Sequence, residues 1–227
     1  MAWGGVAGSE PAGRGVAGSE PAERGVVGSE PAEREAAGSE PAGPSGPIIE
    51  QTSTRVVYEN SHMRLREDGI RRPDGSTGTY SYVEKPDFAL IIPVEDGGFH
   101  LVEQYRYPIR QRCWEFPQGT FPALAPTDDP ERLAREELRQ ETGLTARVMR
   151  HLGHLYTANG LANQGFDVFV ATGLTPGTPE LELEEQDLRS QWFPRADVDE
   201  MIRGGVITDD ASLAAYVLFL LNGAVTS

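Results

Sequence analysis

The chain has 227 residues, 38% of them hydrophobic, with 26 glycines, 17 prolines and a formal net charge of −15. That length holds one sizeable domain plus a tail, or two small domains. The acidic balance argues against a nucleic-acid backbone or an anionic membrane as partner, since both attract basic surfaces.

A phosphate-bearing small molecule is still compatible with this charge, provided a metal ion and a few arginines reverse the field locally. Cys113 is the single cysteine, so no intramolecular disulfide forms and a reducing, cytoplasmic setting is expected. Met1 to Gly5 (MAWGG) has neither the basic flank nor the apolar core of a secretory signal. Leu213 to Leu221, the most apolar stretch, falls far short of the roughly 20 residues that span a bilayer.

In chain order, Gly5 to Pro44 is a tandem array with a ten-residue period: GVAGSEPAGR, GVAGSEPAER, GVVGSEPAER, EAAGSEPAGP. A Gly, Ala, Glu and Pro repeat this short buries too little apolar surface to offset chain entropy, and it lacks the apolar ladder of a solenoid. Residues 1–46 are therefore expected to be a disordered tail that catalysis does not need.

From Ile48 the texture is that of a folded domain. Val56 to Arg66 and Thr79 to Glu84 are expected to be strands on either side of a turn at Arg72-Pro73-Asp74-Gly75. Phe88 to Val94 (FALIIPV) is a continuous apolar run, hence a central strand, and Asp96-Gly97-Gly98 turns the chain into Phe99 to Tyr105. A short strand, Cys113 to Phe116, leads to Pro117-Gln118-Gly119. The first helix is predicted over Pro130 to Thr142, with Asp129 as N-cap, Pro130 at the first helical position and Gly143 at the left-handed C-terminal position. Strands follow at Ala146 to Leu155, Phe166 to Ala171 and Leu188 to Phe193. Helices Arg195 to Arg203 and Asp210 to Leu221, the second behind a Thr208-Asp209 cap, close the chain. Strands on both sides of an internal helix predict a mixed α/β (α+β) sandwich.

The first helix carries the chemistry. Glu137 and Glu141 are four apart, which puts both carboxylates on one helical face, and Leu133, Ala134 and Leu138 form an apolar stripe beside them. Oxygen ligands at that spacing on a buried edge suit a hard divalent cation that keeps several waters. The plainer alternative is a solvated face whose glutamates pair with Arg135 and Arg139. His151 and His154 are spaced HxxH, but in a regular strand they point to opposite faces, which disfavours a shared metal. Cys113 has no sequence-adjacent base and is expected to be a packing residue. Arg106 has the planar guanidinium that grips two phosphate oxygens, or it simply pairs with Glu103 or Glu115.

Glu115-Phe116-Pro117-Gln118-Gly119 ahead of the helix and Glu136 to Leu144 (EELRQETGL) at its end resemble the Nudix box. The segments 102–108 (VEQYRYP), 114–119 and 207–215 (ITDDASLAA) are similar to its ADP-ribose pyrophosphatase branch. The resemblance covers roughly residues 50–222. It implies a Nudix α/β/α sandwich (residues 87–222) preceded by a small antiparallel sheet (residues 47–86) that commonly joins two subunits, so a homodimer is expected. It also implies Mg²⁺, with Mn²⁺ as alternative, held by Glu137 and Glu141 with Gln118 and Gln140 as further ligand positions, and Asp128 at the position of the loop acid. Glu137 is counted among the catalytic positions too. The water-activating base falls on the loop 180–188 (ELELEEQDL), at Glu184 with Glu185 as close competitor. Arg106, Gln104 and Glu115 are the expected substrate contacts.

The pattern departs from the family in four places. Glu136 stands where the family has an arginine, and Gln140 where it has a glutamate. Asn159-Gly160-Leu161 replaces a Pro-Gly-Phe-like turn, and Gln164 replaces an acidic residue. The implied reaction is hydrolysis of a nucleoside diphosphate sugar, ADP-ribose foremost, to AMP and ribose 5-phosphate. GDP-mannose or another nucleotide sugar, and a catalytically degenerate nucleotide-binding module, are the alternatives.

Overall fold

The computed structural model describes residues 48–120 and 129–223, with the Glu184 side chain excepted. The repeat array and Asp128 lie outside the described residues.

Strands β1 (Glu50–Glu59), β2 (Arg64–Arg71) and β3 (Thr77–Glu84) form an antiparallel sheet in the order β1-β2-β3. The single strand expected over Val56 to Arg66 is in fact the end of one strand and the start of the next. Asn60 breaks it: its side-chain oxygen accepts from the backbone N–H of His62 at 2.8 Å and of Met63 at 2.9 Å. An Asn supplying turn hydrogen bonds from its own side chain outcompetes the strand propensity around it. The Arg72 to Gly75 turn stands where expected, with Gly75 in the left-handed region at φ 84°.

The second sheet has seven strands: β4 (Phe88–Glu95), β5 (Gly98–Arg106), β6 (Gln111–Glu115), β7 (Gln118–Gly119), β8 (Thr145–Tyr156), β9 (Gly165–Thr175) and β10 (Arg189–Pro194). Its main path runs β10-β5-β4-β9-β8, with β6 on β5 and β7 on β4. The β4–β9 pair is parallel and the others are antiparallel. Asp96 (φ 48°) and Gly97 (φ 73°) make the tight β4–β5 hairpin, where both central residues need positive φ.

The apolar run of β4 is buried on both faces because the sheet is covered on both. Ala89 and Ile91 pack on Leu133, Ala134 and Leu138 of helix α1 (Pro130–Thr142). Leu90 and Ile92 pack on Val198 of α2 (Arg195–Arg203) and on Ala215, Tyr216 and Phe219 of α3 (Asp210–Leu221). The molecule is thus an α/β/α sandwich with a small N-terminal antiparallel sheet. Among the described residues no helix is long and apolar enough to cross a membrane.

One expectation about β8 is overturned. The register against β9 shifts between His151 and Gly153, so His151 lies opposite Phe169 and His154 opposite Asp167. The extra residue of a bulge turns an odd spacing into an even one. Both imidazoles therefore share a face and meet Asp167, at 2.7 Å from His151 Nε2 and 3.4 Å from His154 Nδ1.

Candidate active site

Helix α1 begins as its sequence dictates. The Asp129 side chain accepts from Arg132 N at 2.9 Å, Pro130 occupies the first turn, and Gly143 ends the helix at φ 73°. This fixes the phase of the helix on the sheet, and with it the burial of Glu137 (7% exposed) and Glu141 (1% exposed) beside Leu133 and Leu138. The arginines of the helix do not neutralise them. Arg135 binds Glu131 at 2.8 Å and the Ala146 carbonyl at 2.8 Å, Arg132 faces Glu136, and Arg139 reaches Glu180 at 2.7 Å.

The two carboxylates are left in company that raises their proton affinity. Burial pushes Glu137 up to about 8, helped by Glu185 and Glu182. Burial, then Glu185 and Glu137, lifts Glu141 well above the ordinary carboxylate range, against one hydrogen bond from Gln118 N at 3.0 Å. Glu141 Oε1 is buried and has no hydrogen-bond partner among the described residues. Gly119 lies against Glu137 so closely that a Cβ there would stand 2.3 Å from its Oε2. Only glycine lets the carboxylate pack on this backbone.

Glu137 lines a cavity of about 590 Å³ together with Glu182, Glu185, Gln104, Arg106 and Lys85. Glu182 and Glu185 come from a short 3-10 turn, Leu183–Glu185, in which Glu182 N donates to Glu185 Oε2 at 3.4 Å. Glu115 lies beneath the cavity, 1% exposed. It accepts from Gln104 at 2.7 Å, from Arg106 Nε at 3.2 Å and from Gln118 Nε2 at 3.3 Å, and it pairs with Arg106 NH2 at 2.7 Å. Burial lifts it to about 6 against the pull of that arginine. The same Gln118 amide donates to Asp209 Oδ2 at 3.2 Å, an oxygen that also caps α3 through Ser212 N at 2.8 Å.

The structure thus brings Glu137, Glu185, Arg106, Gln104 and Gln118 to one cavity, with Glu141 and Glu115 packed behind it. Arg106 both pairs with Glu115, as the plainer reading had it, and faces the cavity. Gln140 is not among the lining residues; its carbonyl instead accepts from Glu180 N at 2.9 Å. The Glu184 side chain lies outside the described residues. Sequence reasoning missed Glu182, Lys85, His62 and Phe88, which also line the cavity, and it named Gln164, another lining residue, only as a departure from the family. For Glu182 a signal existed: Glu182 and Glu185 have the three-residue spacing of a capping box.

Among the described residues no three His, Cys, Asp or Glu side chains are already grouped as a metal cage. The unpartnered Glu141 oxygen and the mutual proximity of Glu137, Glu141 and Glu185 nevertheless fit a hard divalent cation that completes its shell with water. Oxygen donors alone make up this set, as Mg²⁺ and Mn²⁺ prefer. Cys113 is buried and its thiol is pushed up by burial, as suits a packing residue.

Comparison with known proteins agrees with this geometry. Residues 49–83 match the family model described as nucleoside diphosphate sugar hydrolase N-terminal domain, and residues 84–215 match the NUDIX domain. An ADP-ribose pyrophosphatase of Mycobacterium tuberculosis is 32% identical over 170 residues, 74% of this chain and 81% of that protein. An ADP-ribose pyrophosphatase of Bacillus subtilis is 28% identical, over 58% of this chain and 70% of its own. A CMP-5'-(N-acetyl-N-hydroxy-3-aminopropyl)phosphonate hydrolase of Streptomyces rubellomurinus is 26% identical over 75% of this chain and 82% of its own. The crystal structure of an ADP compounds hydrolase superposes with a TM-score of 0.68 at 18% identity, covering 80% of this chain and all of the other.

Proposed function

This chain belongs to the Nudix family as an ADP-ribose pyrophosphatase-like hydrolase, and from that premise we propose that it hydrolyses the pyrophosphate of a nucleoside diphosphate sugar, ADP-ribose foremost, with Mg²⁺ or Mn²⁺. The observation that carries the proposal is the buried oxygen of Glu141, without a hydrogen-bond partner among the described residues, packed behind Glu137 in the wall of a cavity that also receives Arg106.

Glu137 and Glu141 would hold the cation, which when bound neutralises pyrophosphate charge and lowers the pKa of a coordinated water. Arg106 grips the phosphate oxygens, and its bond to Glu115 keeps the guanidinium oriented. Gln104 and Gln118 hold Glu115 in turn. Glu185 takes the proton of the attacking water as its oxygen bonds to phosphorus and the bridging P–O bond breaks. The products are AMP and ribose 5-phosphate. Support for Glu185 comes from its place in the cavity and its influence on both Glu137 and Glu141. Positioning and electrostatics carry most of such a phosphoryl transfer.

The three-stranded sheet is proposed to join two copies of the chain, since β1 is exposed along its whole length with Val56, Val57 and Tyr58 uncovered. The test of function is a turnover screen of the native chain with ADP-ribose, GDP-mannose and other nucleotide sugars, with and without Mg²⁺ or Mn²⁺. Metal-dependent release of AMP from ADP-ribose, fastest among the set, is expected. Absence of turnover under every metal condition would make the chain a binding module instead.

A further inference from the structure

Among the 20 basic side chains of this protein only one is a lysine, and it is Lys85. It sits between β3 and β4 on a backbone fixed by its neighbours. Lys85 N donates to Asn163 Oδ1 at 3.1 Å, Gln164 Nε2 to the Pro86 carbonyl at 2.8 Å, and Gly165 N to Asp87 Oδ1 at 2.7 Å. Those three bonds stitch residues 85–87 to residues 163–165 and aim the lysine side chain into the cavity of Arg106, Glu137, Glu182 and Glu185.

The other cations near the site have carboxylate partners: Arg106 with Glu115, Arg112 with Asp187 and Glu103, and Arg139 with Glu180. Lys85 differs. Burial, and after it the charge of Arg106, weigh on its ammonium, and no carboxylate of the described residues is among the charges acting on it. A half-buried cation beside a second cation is unfavourable until an anion arrives to satisfy both. The arriving anion must be multiply charged and long enough to touch two cations while facing a wall of carboxylates.

We propose that Lys85 is a phosphate ligand that, with Arg106, forms the cationic end of the cavity and binds oxygens of the substrate's pyrophosphate. This rests on the hydrolytic reading above. The compact ammonium adds a point charge with three rotatable donors, which follows phosphate oxygens as they move during bond cleavage, where the planar guanidinium holds them in one plane.

Because Lys85 is the single lysine, reductive methylation with ¹³C-formaldehyde labels only it and the amino terminus. In the labelled native protein with Mg²⁺, inorganic pyrophosphate is expected to shift the Lys85 methyl signal saturably and leave the amino-terminal signal in place. A Lys85 signal that stays still at saturating pyrophosphate overturns the proposal, whether or not any nucleotide sugar is turned over. In turnover, Lys85→Met should raise KM for the nucleotide sugar roughly ten- to hundredfold, as loss of a hydrogen bond from a charged group does. The Mg²⁺ midpoint and Tm should stay at native values, and Lys85→Arg should recover most of the loss. A native-like KM in Lys85→Met overturns the proposal. Failure of the native chain to hydrolyse any nucleotide sugar would refute the function while the pyrophosphate titration still decides the subsite.

Discussion

The N-terminal sheet and the cavity floor are both rich in glutamate, and they treat it in opposite ways. On the sheet, Glu50, Glu59, Glu67 and Glu84 each face an arginine, namely Arg71, Arg64, Arg55 and Arg66. On the floor, Glu137 and Glu141 are buried, face other carboxylates, and have their proton affinities raised. Paired surface charge is what a fold does with acidic residues when nothing else is asked of them. Clustered, buried carboxylate is stabilised only by protons or a cation, and so marks a place held for a ligand.

The sharpest way to break this contrast is Glu141→Gln. If Glu141 holds the cation as proposed, this removes a ligand oxygen, and turnover at saturating Mg²⁺ should fall by more than about 100-fold, beyond the usual effect of altering even a supporting residue of a metal site. Tm of the metal-free protein should not drop, because a neutral amide of the same shape replaces a buried carboxyl that burial already drives toward its neutral form. Near-native turnover in this variant would put the cation elsewhere. Next comes Gly119→Ala, whose Cβ would displace the Glu137 carboxylate. Misplacing one catalytic group by about an ångström can lower a rate of order 100-fold, so a loss of that order in kcat with little change in Tm is expected.

A third probe is pH. Glu137 is lifted to about 8 in the folded protein, whereas an unfolded glutamate titrates near its ordinary value of roughly 4.3. Between those values the folded, metal-free chain binds more protons than the unfolded one, so stability falls as pH rises through that window. Thermal unfolding in chelator should show Tm declining from about pH 5 to pH 8, and Glu137→Gln should flatten the decline. A Tm that rises over this range would contradict the buried carboxylate pair. The smallest effect belongs to the sheet: Arg55→Met breaks an exposed pair with Glu67, worth about 0–1 kcal/mol. Chemical denaturation should detect little, and turnover should be native.

Local chemistry explains what was readable in advance. Helix α1 announced itself through Asp129, Pro130 and Gly143, and β4 through its unbroken apolar run, because caps and two-sided burial leave marks within a few residues. The shared buried face of Glu137 and Glu141 was readable by spacing, and the meeting of Arg106, Gln104 and Glu115 by the motifs around them, as placements rather than as roles. Lys85 was not, since its entry into the cavity depends on hydrogen bonds between segments 78 residues apart. The turn at Asn60 and the bulge beside His151 escaped for a different reason. Each is a single-residue interruption of an otherwise strand-like pattern, decided by a side-chain bond or by register with a partner strand.

The tie between the loop before α1 and the start of α3 sets a timetable for the protein. Phe116 N donates to Ser212 Oγ at 2.9 Å across 96 residues, and Gln118 reaches Asp209 across 91. A ribosome adding about 5–20 residues per second needs roughly 5–20 s to travel from one end of that tie to the other. Glu137 and Glu141 are translated well before the helix that anchors their neighbouring loop exists. A nascent chain therefore carries Glu137 and Glu141 before it carries the segment that ties down the loop beside them, and that loop is anchored only once α3 has been made.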